Sequence, residues 1–183
     1  KTGGYRELPD MNIACSGIPV QGSLDSWLKL AKSDERLKRS LTQLYQLFEN
    51  APTLGSLINP AVIGKQDPMF TAKFEEIEPL LTYTLDIEKS KDNVEADIFG
   101  NSAIDVVRAS KLLSMKFTLI NTNVPYLKRG NQEGSLLEFC EDEYPDSKAD
   151  LATVFLERCQ YFLNNYGSYA VVTPQNWLSL GSY

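Results

Sequence analysis

The sequence predicts an α/β fold with parallel strands, and three observations in the last third of the chain support this. Residues 116–122 (K-F-T-L-I-N-T) and 168–173 (S-Y-A-V-V-T) are apolar runs of strand length. The apolar stripe over 152–163 predicts a helix between them, and 147–150 match a capping-box start. Strand, loop, helix and strand in this order predict a right-handed βαβ unit, in which ligands bind beyond the carboxyl ends of the strands.

The rest of the chain is predicted to be mainly helical, because its apolar residues recur at helical spacing. Before the first helix, the apolar run over 11–15 predicts a buried strand. The remaining expectations are helix caps at Ser23 or Asp25 and at Ser33, a helix end near Asn50, a loop or short strand over 52–60, a helix over 70–81 kinked at Pro79, a helix over 103–113, a helix stop at 164–167 and a further helix from about Gln175.

Composition excludes several classes of function. The chain contains no histidine, so Ser–His–Asp or Cys–His catalysis and histidine metal sites are not available within it. A net charge of −6 argues against this chain being the main DNA-gripping surface, because phosphate contacts need clustered Lys and Arg. Three scattered cysteines predict reduced thiols and a cytoplasmic location. No apolar stretch is long enough to span a membrane.

The segment Thr122-Asn123-Val124-Pro125-Tyr126 closes the first predicted strand. It resembles the N-P-P-Y motif of DNA methyltransferases that modify adenine at N6. The surrounding F-T-L-I-N-T-N-V-P-Y-L is similar to large bacterial methylases of restriction–modification and phage-defence systems, of the BREX-like and type IIG-like kinds. Residues 150–159 and 167–178 resemble the helix and strand that follow the catalytic loop there. The likeness is specific over about 112–183 and weaker at 48–58.

This resemblance implies a fold, a reaction and a set of partners. The chain is expected to be a fragment of a methyltransferase catalytic domain: a partial Rossmann-like sheet in 114–183 with a mainly helical insertion over 24–113. The reaction implied is methyl transfer from S-adenosylmethionine to adenine N6. The partners implied are DNA and the rest of the parent chain, including a target-recognition domain.

The resemblance also assigns roles to the motif residues. The target base must leave the duplex stack, and two acceptors then take the two protons of its amine. The candidates are the side-chain oxygen of Asn123 and the backbone carbonyl of Val124. Tyr126 is expected to stack on the base, and Pro125 to stiffen the loop through its fixed φ. Val124 replaces the first proline of N-P-P-Y, which costs rigidity but leaves the carbonyl in place.

A glycine-containing cofactor loop of the D-P-x-x-G-x-G kind is missing from the sequence. Residues 97–101 (D-I-F-G-N) imitate it poorly and lie about 22 residues before the motif, too close for the intervening strands and helices. The cofactor-binding residues are therefore unknown and expected upstream. The isolated chain is expected to be inactive, and whether it counts as an enzyme stays open.

Other interpretations stay open. The chain could be a non-catalytic interaction module derived from the same fold, or its parent could methylate RNA or a protein amide nitrogen. The motif could also be an ordinary strand-terminating turn. The single residues weighed in two ways are Trp177 (base pocket or core), Lys128 and Arg129 (phosphate contact or solvated loop), Cys15 (nucleophile or, better, buried thiol), and the acidic residues Glu138, Glu141, Asp142, Glu143 and Asp146 (metal site or, better, solvated surface).

Overall fold

The computed structural model describes residues 11–63, 76, 78, 79 and 94–175. The helix expected over 70–81 falls outside these ranges except at three positions, all helical, and Trp177 lies outside them. The described elements are, in chain order, α1 (Leu24–Leu30), α2 (Glu35–Glu49), α3 (Ala51–Leu54), 3-10 turns at Gly55–Leu57 and Pro60–Val62, α4 (Val94–Ser114), β1 (Phe117–Asn123), a 3-10 turn at Arg129–Asn131, α5 (Gly134–Glu143), α6 (Leu151–Phe162) and β2 (Leu163–Val172).

Local side-chain contacts fix where the first helices begin. Ser23 caps α1 as expected, because its side chain accepts from the backbone N–H of Ser26. The cap of α2 is Asp34 and not Ser33, which corrects the prediction by one residue. The carboxylate of Asp34 accepts from the N–H of Leu37 at 3.0 Å, and a carboxylate also favours the positive end of the helix dipole.

The helical region, defined as residues 24–63 and 94–114, supplies most of one apolar core, which it shares with α5 and α6. Trp27, Leu41 and Leu44 are each 0% exposed, and the indole N–H of Trp27 donates to the carbonyl of Gln21 at 2.9 Å. The helix expected over 103–113 is confirmed within α4. The buried residues over 103–113 are Ala103, Val106, Val107, Ala109, Ser110 and Leu113. The apolar stripes predicted for these helices from their periodicity therefore pack against one another.

Two predictions near the amino end are wrong. Residues 11–15 form no strand and are exposed, so Cys15 is an exposed thiol and not a buried one. A strand needs a hydrogen-bonded neighbour, and the described sheet contains β1 and β2 alone. In the segment 52–60, predicted as a loop or short strand, residues 52–57 and 60 lie in helical turns and only 58 and 59 are irregular. Pro52 lies in the first turn of α3, where its missing N–H costs nothing.

β1 and β2 are parallel neighbours, which confirms the α/β class and the predicted strand order. Their carboxyl ends lie together, with Asn123 opposite Val172. β2 begins at Leu163, so the helix stop predicted at 164–167 is wrong. The register jumps from Phe117↔Leu163 to Leu119↔Ser168, so these residues form a bulge within the strand.

Gly167 shows why the bulge has this sequence. A Cβ at this position would lie 2.8 Å from the Leu163 side chain and 2.8 Å from the Phe117 carbonyl oxygen. The backbone of β2 approaches β1 too closely for any side chain here. The sequence Asn-Asn-Tyr-Gly is typical of a helix C-terminus. Here, however, the glycine is needed because the backbones of β1 and β2 approach each other closely.

Arg158 joins the strands to the helical region. It lies on α6 and is 1% exposed. Its guanidinium donates to the carbonyls of Ser56 (3.1 Å), Ile58 (2.6 Å) and Leu113 (3.1 Å). The same group lies 4.0 Å from the ring centroid of Phe162. Burial lowers the pKa of Arg158 to about 10. One side chain therefore ties α6, and β2 after it, to two separate parts of the helical region.

Candidate functional site

The N-V-P-Y motif forms the tip of β1. Asn123 is the last residue of the strand and is exposed, as is Pro125. Val124, which replaces the first proline of N-P-P-Y, is 3% exposed, and its burial anchors the tip. Tyr126 is 49% exposed and keeps much of its ring surface accessible. The tip thus combines one buried anchor with two exposed groups, an amide and an aromatic ring.

Tyr126 bends back over the strand ends. Its hydroxyl lies 3.2 Å from the side-chain oxygen of Asn123 and 3.2 Å from the backbone carbonyl of Val172. A phenol has one proton, so it can satisfy only one of these acceptors fully at a time. The contact brings three groups together at the carboxyl edge of the sheet, where the sequence predicted a binding site.

The loop after the motif is held from behind by backbone contacts. The carbonyl of Leu127 accepts from the N–H of Leu151 at 2.9 Å and from the side-chain amide of Gln132 at 3.0 Å. Asp150 caps α6 by accepting from the N–H of Ala152 at 2.9 Å. The first turn of α6 therefore fixes the position of the loop, and with it the carboxyl side of the motif.

Arg129 does not face outward as a free phosphate ligand. Its guanidinium pairs with the Glu141 carboxylate, and its Nε donates there at 3.0 Å. This hydrogen bond and charge hold the pKa of Glu141 below its usual range. The other four acidic residues of the predicted cluster are exposed, in agreement with the solvated-surface interpretation.

The two faces of the sheet differ. Side chains alternate along a strand, so Tyr169, Val171 and Thr173 share the face toward α6. There they line a cavity of about 680 Å³ with Asp146, Ser147, Thr153, Leu156, Glu157 and Gln160. Asn123 and Tyr126 do not line it. Asn123 lies on the opposite face, where Leu119 and Val172 are 69% and 60% exposed.

Comparison with known proteins agrees with the motif. The family model described as "Eco57I restriction-modification methylase" matches residues 23–183. The chain belongs to this methylase family. The match includes the helical region as well as the strands, so both parts occur together in the family.

Two curated relatives are similar to the chain. The "Adenine-specific methyltransferase BrxX" of Escherichia coli O9:H4 (strain HS) is 30% identical over 154 residues, which are 84% of this chain and 12% of that protein. The "Adenine-specific methyltransferase PglX" of Lacticaseibacillus casei (strain Zhang) is 37% identical over 79 residues, which are 43% of this chain and 7% of that protein. The chain therefore spans a small part of the length of these relatives.

The segment nearest in sequence to a cofactor loop does not form such a loop. The segment Asp97–Asn101 lies inside α4 and forms no loop. β1 is followed by the N-V-P-Y motif, and β2 by Thr173 and Pro174 rather than by a glycine-containing turn.

No described helix has the length and apolarity needed to cross a bilayer.

Several residues that shape the site were missed from the sequence. α5 was not predicted, although Leu136, Phe139 and Cys140 recur at helical spacing. Gln132 is 4% exposed and supports the loop, but nothing in its neighbours marks it as buried. The hydroxyl of Tyr126 reaches a residue 46 positions away, which only the strand pairing reveals.

Proposed function

We propose that this chain forms the target-base clamp of an adenine-N6 DNA methyltransferase of a restriction–modification or phage-defence system. The observation that supports it is the exposed tip of β1, where the amide oxygen of Asn123 lies 3.2 Å from the hydroxyl of Tyr126. The printed names of both relatives, adenine-specific methyltransferases, support the same reaction.

The clamp works by positioning. An exocyclic adenine amine is a weak nucleophile, because its lone pair is delocalised into the ring. The Asn123 side-chain oxygen and the Val124 carbonyl accept its two protons, which orients the lone pair toward the methyl donor. The ring of Tyr126 stacks on the extruded base, which contributes about 1–3 kcal/mol in single-strand binders. Pro125 limits the motion of the loop.

The remaining parts of the enzyme come from the parent protein in this proposal. S-adenosylmethionine is the methyl donor, bound by residues outside those described. DNA is held by other surfaces, including a target-recognition domain, because this chain has a net charge of −6. Residues 24–113 act as a helical insertion and 114–183 as the catalytic part. A cytoplasmic location agrees with the three free cysteines.

The proposal is tested by Asn123→Ala in the full-length protein. We expect methylation of unmethylated genomic DNA to fall by about 100-fold or more, as when one positioned catalytic hydrogen-bonding group is removed. Asn121→Ala is the matched control, since Asn121 is an exposed amide on the same strand and the same face, two residues before the tip. We expect this control to keep its activity.

The outcomes separate the open interpretations. Retained methylation in Asn123→Ala would contradict the clamp. A full-length wild-type protein that methylates no DNA would favour the non-catalytic interaction module. Methylation of RNA or of a protein amide instead of DNA would keep the clamp and change the substrate class.

A further inference from the structure

We infer that the Tyr126 hydroxyl closes the base clamp when no DNA is bound, and that the amine of the target base displaces it. The inference rests on the proposed function, because it concerns the same site. It adds a role for the hydroxyl that stacking does not require, since stacking uses only the ring.

The geometry supports this exchange. The phenol oxygen lies 3.2 Å from the Asn123 side-chain oxygen, within hydrogen-bond distance of the atom that must accept an amine proton. A hydroxyl and an amine are both donors, so a base amine that approaches this oxygen must share it with the phenol or displace the phenol. The second contact, to the Val172 carbonyl at 3.2 Å, ties the ring to the neighbouring strand. An empty clamp therefore presents an amide oxygen that shares the single phenol proton with the Val172 carbonyl.

The contact is weak enough to open. Asn123 and Tyr126 are exposed, so water can replace the hydrogen bond when the ring moves. Val124 is buried and β1 is paired, so opening needs rotation of one side chain and not movement of the backbone. The ring moves with the hydroxyl in this rotation about χ1, and its exposed face is available to stack on a base that enters beside Asn123.

The exchange also selects the base. An adenine or cytosine amine offers a proton to Asn123 and compensates for the lost phenol bond. A base with a carbonyl at that position offers none, and it would leave two acceptors facing each other. The closed clamp therefore disfavours keto bases twice, through the bond that is lost and through the repulsion that replaces it.

The kinetic test uses Tyr126→Phe in the full-length protein, with unmethylated genomic DNA as the probe. Phenylalanine keeps the stacking ring and removes the closing bond. We expect KM for DNA to fall about three- to five-fold, the size that one exposed hydrogen bond allows. Tyr166→Phe is the control, because this tyrosine is 93% exposed and distant from the tip in the bulge; its KM should match the wild type.

An unchanged or raised KM in Tyr126→Phe overturns the inference, and a loss of kcat would show that the hydroxyl serves methyl transfer itself. A second measurement does not depend on activity: crystal structures of the full-length protein with and without DNA. We expect the hydroxyl to contact Asn123 only in the DNA-free structure. If the contact between the hydroxyl and Asn123 is missing without DNA, or persists with an extruded base bound, the inference is also overturned. Methylation that survives Asn123→Ala would refute the proposed function instead.

Discussion

The helical region buries its apolar side chains, whereas the two-stranded sheet exposes several of its own. Leu41 and Leu44 of α2 are each 0% exposed, while Leu119 of β1 and Val172 of β2 are 69% and 60% exposed. Parallel strands in other proteins are usually covered on both faces. The comparison teaches that the buried core and the N-V-P-Y motif belong to different parts of this chain, and that α6 connects the two.

The largest expected effect comes from breaking the link between the two regions. Arg158→Met keeps an aliphatic side chain but leaves the carbonyls of Ser56, Ile58 and Leu113 without their donor. We expect the free energy of unfolding to fall by about 3–5 kcal/mol, since each unpaired buried group costs about 1–3 kcal/mol. Urea unfolding followed by circular dichroism measures it.

Lys128→Met is the control for that experiment, because Lys128 is exposed and its replacement should change stability little. A loss below about 1 kcal/mol in Arg158→Met would mean that the three carbonyls find other donors, so that shared apolar packing holds α6 without Arg158.

The second effect concerns the sheet alone. Gly167→Ala places a Cβ 2.8 Å from a backbone oxygen of β1, so the strands must separate or shift. We expect a loss of about 1–3 kcal/mol in the free energy of unfolding. Gly130→Ala is the matched control, since a Cβ there meets nothing within 4 Å. Equal stability of the two variants would show that the bulge tolerates a side chain.

The smallest effect is a dependence on pH at the junction of the regions. Tyr144 ends α5, is 4% exposed and belongs to the common core, and its burial raises its pKa to about 12. The unfolded chain releases this proton near pH 10, so the stabilising contribution is complete below pH 10 and is lost as pH rises toward 12.

Tyr144→Phe removes this proton. Between pH 9 and 11 we expect the wild type to lose about 1 kcal/mol more of its unfolding free energy than the variant does. Urea unfolding at both pH values measures the difference. Identical losses in the two proteins would place the phenol in contact with water and outside the junction.

The same division explains what the sequence could predict. Helices such as α2 follow from a regular apolar stripe, because a local period determines which side is buried. The α/β class and the parallel strands follow from the order of elements. The motif at Asn123–Tyr126 was found because four neighbouring residues carry it, and the family match agrees with its resemblance.

The missed features depend on contacts between distant residues. Gly167 was interpreted as a helix stop because its role appears only when β1 lies beside it. The Tyr126 hydroxyl contact depends on strand register and side-chain rotation. Among the missed residues, Arg158 is the one that the sequence could most easily have revealed. Leu151, Val154 and Arg158 share one helical face. An arginine on a buried stripe indicates a specific set of acceptors.

The bulge in β2 has a further consequence for the chemistry at the opposite end of the strand. Side chains alternate between faces, so the number of residues inserted at 164–167 decides which carbonyl and which face β2 offers beside Asn123. The number of residues in this segment therefore sets the register of the rest of β2 against β1. Losing one residue there would offset every later position of β2 by one and misalign the proposed clamp several residues away, without altering any of its residues.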